Sequence, residues 1–337
     1  MRRIDDKISQ KILDVRREGI VLAPAMIEKD VLVADAVRTV CRVGTELGAT
    51  IIFCGGTALS QAHGLIRRMS EDADFRLILP PAIQSQSQKR TFLSAIKHKV
   101  IEGLAEQGFP LIEGTLRARN MNQYIVGHFA YESVFLTEKA LRPDLKLEIS
   151  TTGPVSRVDH LPLRTIIDRV LDLPVTSLPV STIAVEDTVV DKIVSFLRRT
   201  AQDRAQMLHG RYDDRLVRHL YDIHQIATRR AGIEKAVFPL FVATVEKDRR
   251  SFGNQFPAFQ EDPWAVLQEE NGHVLDAVNA ERYQEFCQTM IYEDPPSFDK
   301  AARTFQAVAN ALITRALGER GDQDQGEESG ASAAPIF

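Results

Sequence analysis

Asp72 and Asp74, separated by Ala73 and followed by Phe75 and an apolar run to Leu79, are the residues whose types and spacing point most directly to chemistry. Alternate side chains of a strand share a face, so the two carboxylates point one way while Ala73 and Phe75 point into a core. Carboxylates held this close repel, and a divalent cation between them relieves the repulsion; ligation by oxygen alone suits Mg²⁺. Upstream, the apolar run Thr50 to Cys54 breaks at Gly55-Gly56, and Thr57 then opens the helix-compatible ALSQAHGL. This order reads as strand, tight turn, helix start. The glycines let backbone N–H groups turn inward, and such a nest at a helix N-terminus attracts phosphate. A turn for phosphates followed by an Asp-x-Asp strand supplies what nucleotidyl transfer needs: a place for the triphosphate, and charge to balance what develops in an in-line attack on the α-phosphorus. Asp-x-Asp alone is common on solvated strand edges, so the glycine turn at this spacing gives the pair its meaning.

Helical periodicity before that strand covers Ile4 to Glu18 and Ala25 to Leu47, and both helices are expected to pack on the sheet that begins at Thr50. After Pro80-Pro81 and a Gln/Ser-rich loop comes a helix from Lys89 to Gln107, then two β-rich runs, Leu111 to Arg119 and Asn122 to Leu136, expected to pair antiparallel. Leu145 to Ser150 alternates strictly, with Lys146, Glu148 and Ser150 on the face away from the core. Beside the Asp-x-Asp strand, Glu148 becomes a third carboxylate; elsewhere it is an ordinary surface residue. The proline-broken stretch from Thr151 to Pro179 reads as a connection with a short helical turn, and Pro179 to Val185 as an edge strand. The helix from Glu186 to Arg199 has a polar stripe of Thr188, Lys192, Ser195 and Arg199. A surface loop is expected over Ala201 to Asp213. In the next helix, Asp214 to Arg229, Asp222 either pairs with Arg218 at i−4 or serves a cleft between domains. His219 flanks the apolar face; it could act as a general base, but packing or hydrogen bonding suits it better.

These elements give an α+β fold: a small mixed β-sheet with flanking helices over residues 1–185, a helical C-terminal domain over 186–317, and a disordered acidic tail over 318–337. Phe238, Phe241, Phe252, Phe256, Phe259 and Trp264 concentrate in the helical part and read as core in preference to a partner surface. The net charge of −4 leaves no global basic footprint for nucleic acid, though it allows a local patch. Cys41, Cys54 and Cys287 lack the spacing of a disulfide frame or a zinc site. No stretch has the length of a signal or membrane segment, so a cytoplasmic protein without membrane contact is expected.

GGTAL at 55–59 and RMSEDADF at 68–75 resemble the polymerase-β-like nucleotidyltransferases, and within them the AbiEii/AbiGii family of bacterial toxins, whose members carry a Gly-Gly-Thr/Ser-Ala-Leu turn and an Arg-x-Ser-x-Asp-x-Asp-Phe strand. Glu28-Lys29-Asp30 matches a family tripeptide, although it also reads as a solvated first turn with acids near the positive end of the helix dipole. Lys146-x-Glu148, DKIVSFLRR at 191–199 and RHLYDI at 218–223 resemble later motifs. The resemblance implies Mg²⁺-dependent transfer of a nucleoside monophosphate from an NTP to an acceptor hydroxyl, with pyrophosphate leaving. Asp72, Asp74 and Glu148 would hold the metals, and Glu148 would help to activate the hydroxyl. Gly55, Gly56, Thr57, Arg68 and Ser70 would bind the nucleotide, Lys192 would neutralise its phosphates, and Asp222 would orient Lys192 or the hydroxyl. It also implies the toxin of a toxin–antitoxin or phage-defence pair, with a cognate antitoxin and a tRNA acceptor. Arg67, Arg68, Arg198, Arg199, Arg204, Arg211, Arg215 and Arg218 lie in or next to the segments expected to line the cleft and could form the basic patch that tRNA requires. Two alternatives stay open: a small cationic acceptor such as an aminoglycoside, and a non-catalytic protein that holds a nucleotide or partner.

Overall fold

The computed structural model describes residues 1–136, 138, 141–151, 155–208 and 210–331. The chain forms two compact units, one of residues 1–188 with 287–295, the other of residues 189–286 with 296–337.

The first unit is a seven-stranded mixed sheet with flanking helices. Helices α1 (Asp6–Arg17) and α2 (Pro24–Glu46) precede strand β1 (Thr50–Cys54), helix α3 (Gly55–Gln61), strand β2 (Asp72–Ile78) and helix α4 (Gln86–Glu106). Then come β3 (Arg117–Arg119), β4 (Tyr124–Phe129), β5 (Leu145–Ser150), β6 (Val158–Pro162), α5 (Ile166–Val170) and β7 (Pro179–Ile183). The sheet order is β3-β4-β5-β2-β1-β7-β6. Local signals explain the boundaries: Pro24 opens α2 at a position where its missing N–H costs nothing, and a reciprocal Ser85–Gln88 capping box starts α4. The central strands bury Ile52, Phe53, Ala73 and Phe75, whose two rings lie 5.8 Å apart, beneath an α2 that is buried along most of its length. That burial fixes which face of β2 is left for Asp72 and Asp74.

Two expectations need correction. Strand β7 is interior, hydrogen-bonded between β1 and β6, because β6, which the proline-broken reading passed over, takes the edge. The prolines are tolerated because Pro162 and Pro179 are opposite each other at the end of the ladder. The run from Leu111 contributes only the three residues of β3 and an isolated bridge at Leu111, though its antiparallel pairing with β4 is as expected. Residues 152–154 of the expected connection lie outside the described residues.

Helix α6 (Val185–Arg204) carries the chain into the second unit, which is helical throughout: a 3₁₀ turn at Asp214–Val217, α7 (Arg218–Arg229), α8 (Ile233–Phe252), α9 (Pro257–Glu261), α10 (Pro263–Gly272), α11 (Ala277–Met290) and α12 (Phe298–Ala331). α12 packs on α7, α8 and α10, with Phe305 edge-on to Phe196 at 5.0 Å. Phe238, Phe241, Phe256, Phe259 and Trp264 are buried, so the aromatic concentration is core. Helix α6 runs five residues beyond its expected end into the expected surface loop, whose residue 209 lies outside the described residues. The expected tail is helical as far as Ala331, since a nucleated helix adds a hydrogen bond for each residue it fixes, and residues 332–337 lie outside the described residues.

Candidate active site

The geometry begins with strand register. β2 lies antiparallel to β1, which puts Asp74 opposite Cys54, and parallel to β5, which puts Asp72 beside Lys146 and Asp74 beside Glu148. The alternation of β5 buries Leu145, Leu147 and Ile149 and leaves Lys146 and Glu148 on the carboxylate face. Glu148 is thus the lateral neighbour of Asp74, as the strand pattern allowed.

The glycine turn closes over this face. Gly55 has φ +79°, in the left-handed region, and a Cβ there would lie 2.5 Å from Asp74 Oδ2. A Cβ on Gly56 would collide with the Arg68 guanidinium and reach within 3.0 Å of Ser70 Oγ. Both glycines therefore permit close approach. The buried Thr57 hydroxyl donates to the Asp72 carbonyl at 2.5 Å and lies 2.9 Å from the Ser70 hydroxyl, which fastens the start of α3 to the start of β2. Arg68 is buried and donates to the Met69 carbonyl. Its segment is held by the stretch 290–292: Met69 N–H donates to Met290 O, and Tyr292 N–H to Arg67 O. Gly55, Gly56, Thr57, Arg68, Ser70, Asp72, Asp74 and Glu148 thus come together in the first unit.

Counter-charges surround the carboxylates. Arg142 Nη2 donates to Asp72 Oδ1 at 2.6 Å, Lys146 Nζ lies 3.3 Å from Glu148 Oε2, and the Tyr124 hydroxyl donates to the same oxygen at 2.9 Å. Burial, then the Glu148 carboxylate, raises the Tyr124 pKa, so Tyr124 remains a donor. Burial alone would lower the Lys146 pKa, but the pull of Asp72, Glu148 and Asp74 outweighs it and raises it. Among the described residues no three His, Cys, Asp or Glu side chains stand close enough to hold one ion. The donor set of Asp72, Asp74 and Glu148 is nonetheless oxygen-only and strand-adjacent, which fits a hard cation once Arg142 gives way at Asp72.

Residues 40–310 match the family described as "Nucleotidyl transferase AbiEii toxin, Type IV TA system". The chain belongs to this family. It is a nucleotidyltransferase toxin of a type IV toxin–antitoxin system. Membership removes the reading as a non-catalytic binding protein and implies an NTP substrate and an antitoxin partner. Among solved structures, the chain is similar to the nucleotidyltransferase toxin MenT4 from Mycobacterium tuberculosis H37Rv, with 13% identity, TM-score 0.46, and coverage of 86% of this chain and 85% of that one. No match is found among curated proteins. No helix among the described residues is long and apolar enough to cross a membrane.

The tripeptide Glu28-Lys29-Asp30 is fully buried, which overturns its reading as a solvated first turn. Glu28 accepts from the Ser133 hydroxyl and the Val134 N–H; Lys29 binds Glu71 at 2.8 Å and the Arg142 carbonyl at 2.7 Å; Asp30 accepts from Gln61 and the Ile166 N–H. Burial raises the Asp30 pKa to about 6 despite these two donors. Burial would raise that of Glu71 too, but the Lys29 ammonium and the Arg142 N–H hold it below the usual range.

In the second unit, Lys192 Nζ lies 2.7 Å from Asp222 Oδ2, and both side chains are buried. Of the two alternatives for Asp222, the i−4 pair with Arg218 is not formed, since Arg218 lies 3.4 Å from Asp213, and the neighbour of Asp222 is Lys192. The polar stripe of α6 is only partly solvated, since Thr188 and Lys192 are buried. His219 donates to the Lys192 carbonyl at 3.1 Å, which is the hydrogen-bonding role expected of it. The arginines divide: Arg198 pairs with Asp248, Arg204 with Glu270 and Asp276, Arg211 with Asp214, and Arg68 is buried. With Arg218, five of the eight arginines proposed as a basic patch are thus committed to carboxylates or to the interior.

Sequence reasoning gave no role to Arg142, Tyr124 or Glu71. Their partners lie 24 to 113 residues away, beyond any local periodicity.

Proposed function

We propose that the chain transfers a nucleoside monophosphate from an NTP to an acceptor hydroxyl in a Mg²⁺-dependent reaction, with tRNA as the acceptor. The observation that carries this reading is the placement of Asp72, Asp74 and Glu148 as strand neighbours beneath a glycine turn that approaches Asp74 within a missing Cβ. Asp72, Asp74 and Glu148 would supply ligands to the divalent metals rather than enclose one ion among them, and the metals when bound would supply positive charge for the triphosphate and the developing oxyanion. Backbone N–H groups after Gly55, with Thr57, Arg68 and Ser70 around them, would receive the triphosphate. Tyr124 and Lys146 both fall on Oε2 of Glu148, so Oε1 would be the atom that takes the proton of the acceptor hydroxyl. Lys192 would neutralise the phosphates, its ammonium oriented by Asp222.

A second reading, a small cationic acceptor such as an aminoglycoside, is favoured by the commitment of Arg198, Arg204, Arg211 and Arg218 to carboxylates. Incubating the purified protein with each radiolabelled NTP and total tRNA, with and without Mg²⁺, tests both. Label on tRNA only when Mg²⁺ is present supports the first reading. Label confined to an added aminoglycoside supports the second, and no transfer to any acceptor refutes the mechanism.

A further inference from the structure

Arg142 is held in an unusual way. Its main-chain N–H donates to Glu71 Oε2 at 2.9 Å, and its carbonyl accepts from Lys29 Nζ at 2.7 Å. Those two groups form an ion pair with side-chain exposures of 0% and 4%, and a pair this buried loses much of its attraction to desolvation. It nevertheless fixes the backbone of one arginine from both sides. The side chain of Arg142 is held quite differently: it is 37% exposed, it contacts Asp72 Oδ1 at 2.6 Å and Glu71 Oε1 at 3.7 Å through the same Nη2, and its buried Nε has no partner among the described residues. A part-exposed ion pair contributes little to stability. The backbone is therefore anchored at two points while the guanidinium is held by a weak pair.

The carboxylate that Arg142 covers is one of those proposed to receive a divalent cation. Two cations compete for Asp72, and when the metal takes it the guanidinium is released beside the place where the triphosphate must lie. A guanidinium is a rigid, planar set of donors matched to phosphate oxygens. We propose that Arg142 is a substrate-binding residue that neutralises Asp72 until a divalent cation binds and then passes to the triphosphate, an exchange made possible by the Lys29–Glu71 clamp on its backbone. This inference rests on the nucleotidyl-transfer reading. It makes metal and nucleotide binding cooperative through the chain's own side chain, since each metal that binds frees one phosphate ligand.

The test is direct binding without turnover. Mn²⁺ affinity is measured by titration calorimetry on the full-length protein, and NTP affinity with a non-hydrolysable analogue at saturating Mn²⁺, for wild type, Arg142→Gln and Arg142→Lys. Circular dichroism confirms folding, which is expected to persist because backbone atoms carry the clamp. Without the competing guanidinium, Arg142→Gln should bind Mn²⁺ about fivefold more tightly and the analogue about tenfold more weakly. Arg142→Lys should fall between, a point charge lacking the fork. Unchanged analogue binding, or Mn²⁺ binding that is unchanged or weaker, in a folded Arg142→Gln variant would overturn the inference. If wild type itself binds neither Mn²⁺ nor analogue, the nucleotidyl-transfer reading fails, and the inference with it.

Discussion

The Lys192–Asp222 pair allows structural and functional roles to be separated in one experiment. The two groups lie 2.7 Å apart with side-chain exposures of 7% and 0%. Removing one partner leaves the other charge buried without its counter-ion, at a cost of about 3–5 kcal/mol, whereas replacing both with apolar groups is often close to neutral. Asp222→Leu and Lys192→Met should each lose that amount, a large part of the ~5–15 kcal/mol that holds a typical domain together. The double variant should recover most of it. Trp264 is the chain's single tryptophan, buried in the second unit against Phe241 at 5.9 Å, so its fluorescence during urea unfolding reports on that unit. With a urea slope of about 2 kcal/mol/M, each single variant should shift the midpoint down by roughly 1.5–2.5 M. Nucleotidyl transfer provides the second axis. If Lys192 serves only to satisfy Asp222, the double variant regains activity along with stability; if the ammonium meets the triphosphate, stability returns and activity does not. Single variants within about 1 kcal/mol of wild type would refute the argument that burial makes this pair interdependent.

Three other outcomes follow from the site. Asp74→Asn should keep the fold and its melting temperature while divalent-dependent transfer disappears, because the amide preserves shape and loses the charge that would hold the ion; full activity would sink the metal assignment. Gly55→Ala should cost about 1–2 kcal/mol through its positive φ and should reduce transfer by more than that loss of stability accounts for, since the new methyl displaces Asp74 Oδ2; wild-type kinetics would show that Asp74 can move freely. Asp30, with its pKa raised from 3.8 to about 6, stays protonated in the fold at pH values where the unfolded chain has already released the proton. The unfolded state then binds fewer protons, so stability should fall by about 3 kcal/mol as pH rises from 4 to above 6, and Asp30→Asn should flatten that component in pH-dependent denaturation curves; an unaltered slope would exclude Asp30 as its source.

The parts of this architecture legible in the sequence are those written in local periodicity. The strand 72–78, with its acids on one face, follows from alternation, and so does the orientation of Glu148. That β5 lies next to β2 does not follow from it; the resemblance supplied that neighbour, and the register agrees. Glu28-Lys29-Asp30 defeated pattern reading because charged residues in the first turns of a helix look solvated, whereas these three find partners 31 to 136 residues away. The acid beside Lys192 lies thirty residues downstream, beyond local periodicity, and the resemblance supplied that partner as well. Strand β6 was missed because its sequence, VDHLP, neither alternates nor carries a continuous apolar run; only its pairing with β7 makes it a strand.

The short return of residues 287–295 to the first unit sets a schedule for the newborn protein. Arg67 and Met69, just ahead of the acid strand, pair through their main chains with Tyr292 and Met290. On a ribosome adding about 5–20 residues per second, that partner emerges on the order of 10–45 s after the segment it must clasp. Until then the lead-in to Ser70 and Asp72 lacks its clasp, however early the sheet itself forms. A chain broken off before residue 290 would carry every residue of the proposed phosphate and metal sites without that fastening. In a toxin, this order of assembly would tie potency to synthesis past residue 292 and would make shorter products poor poisons.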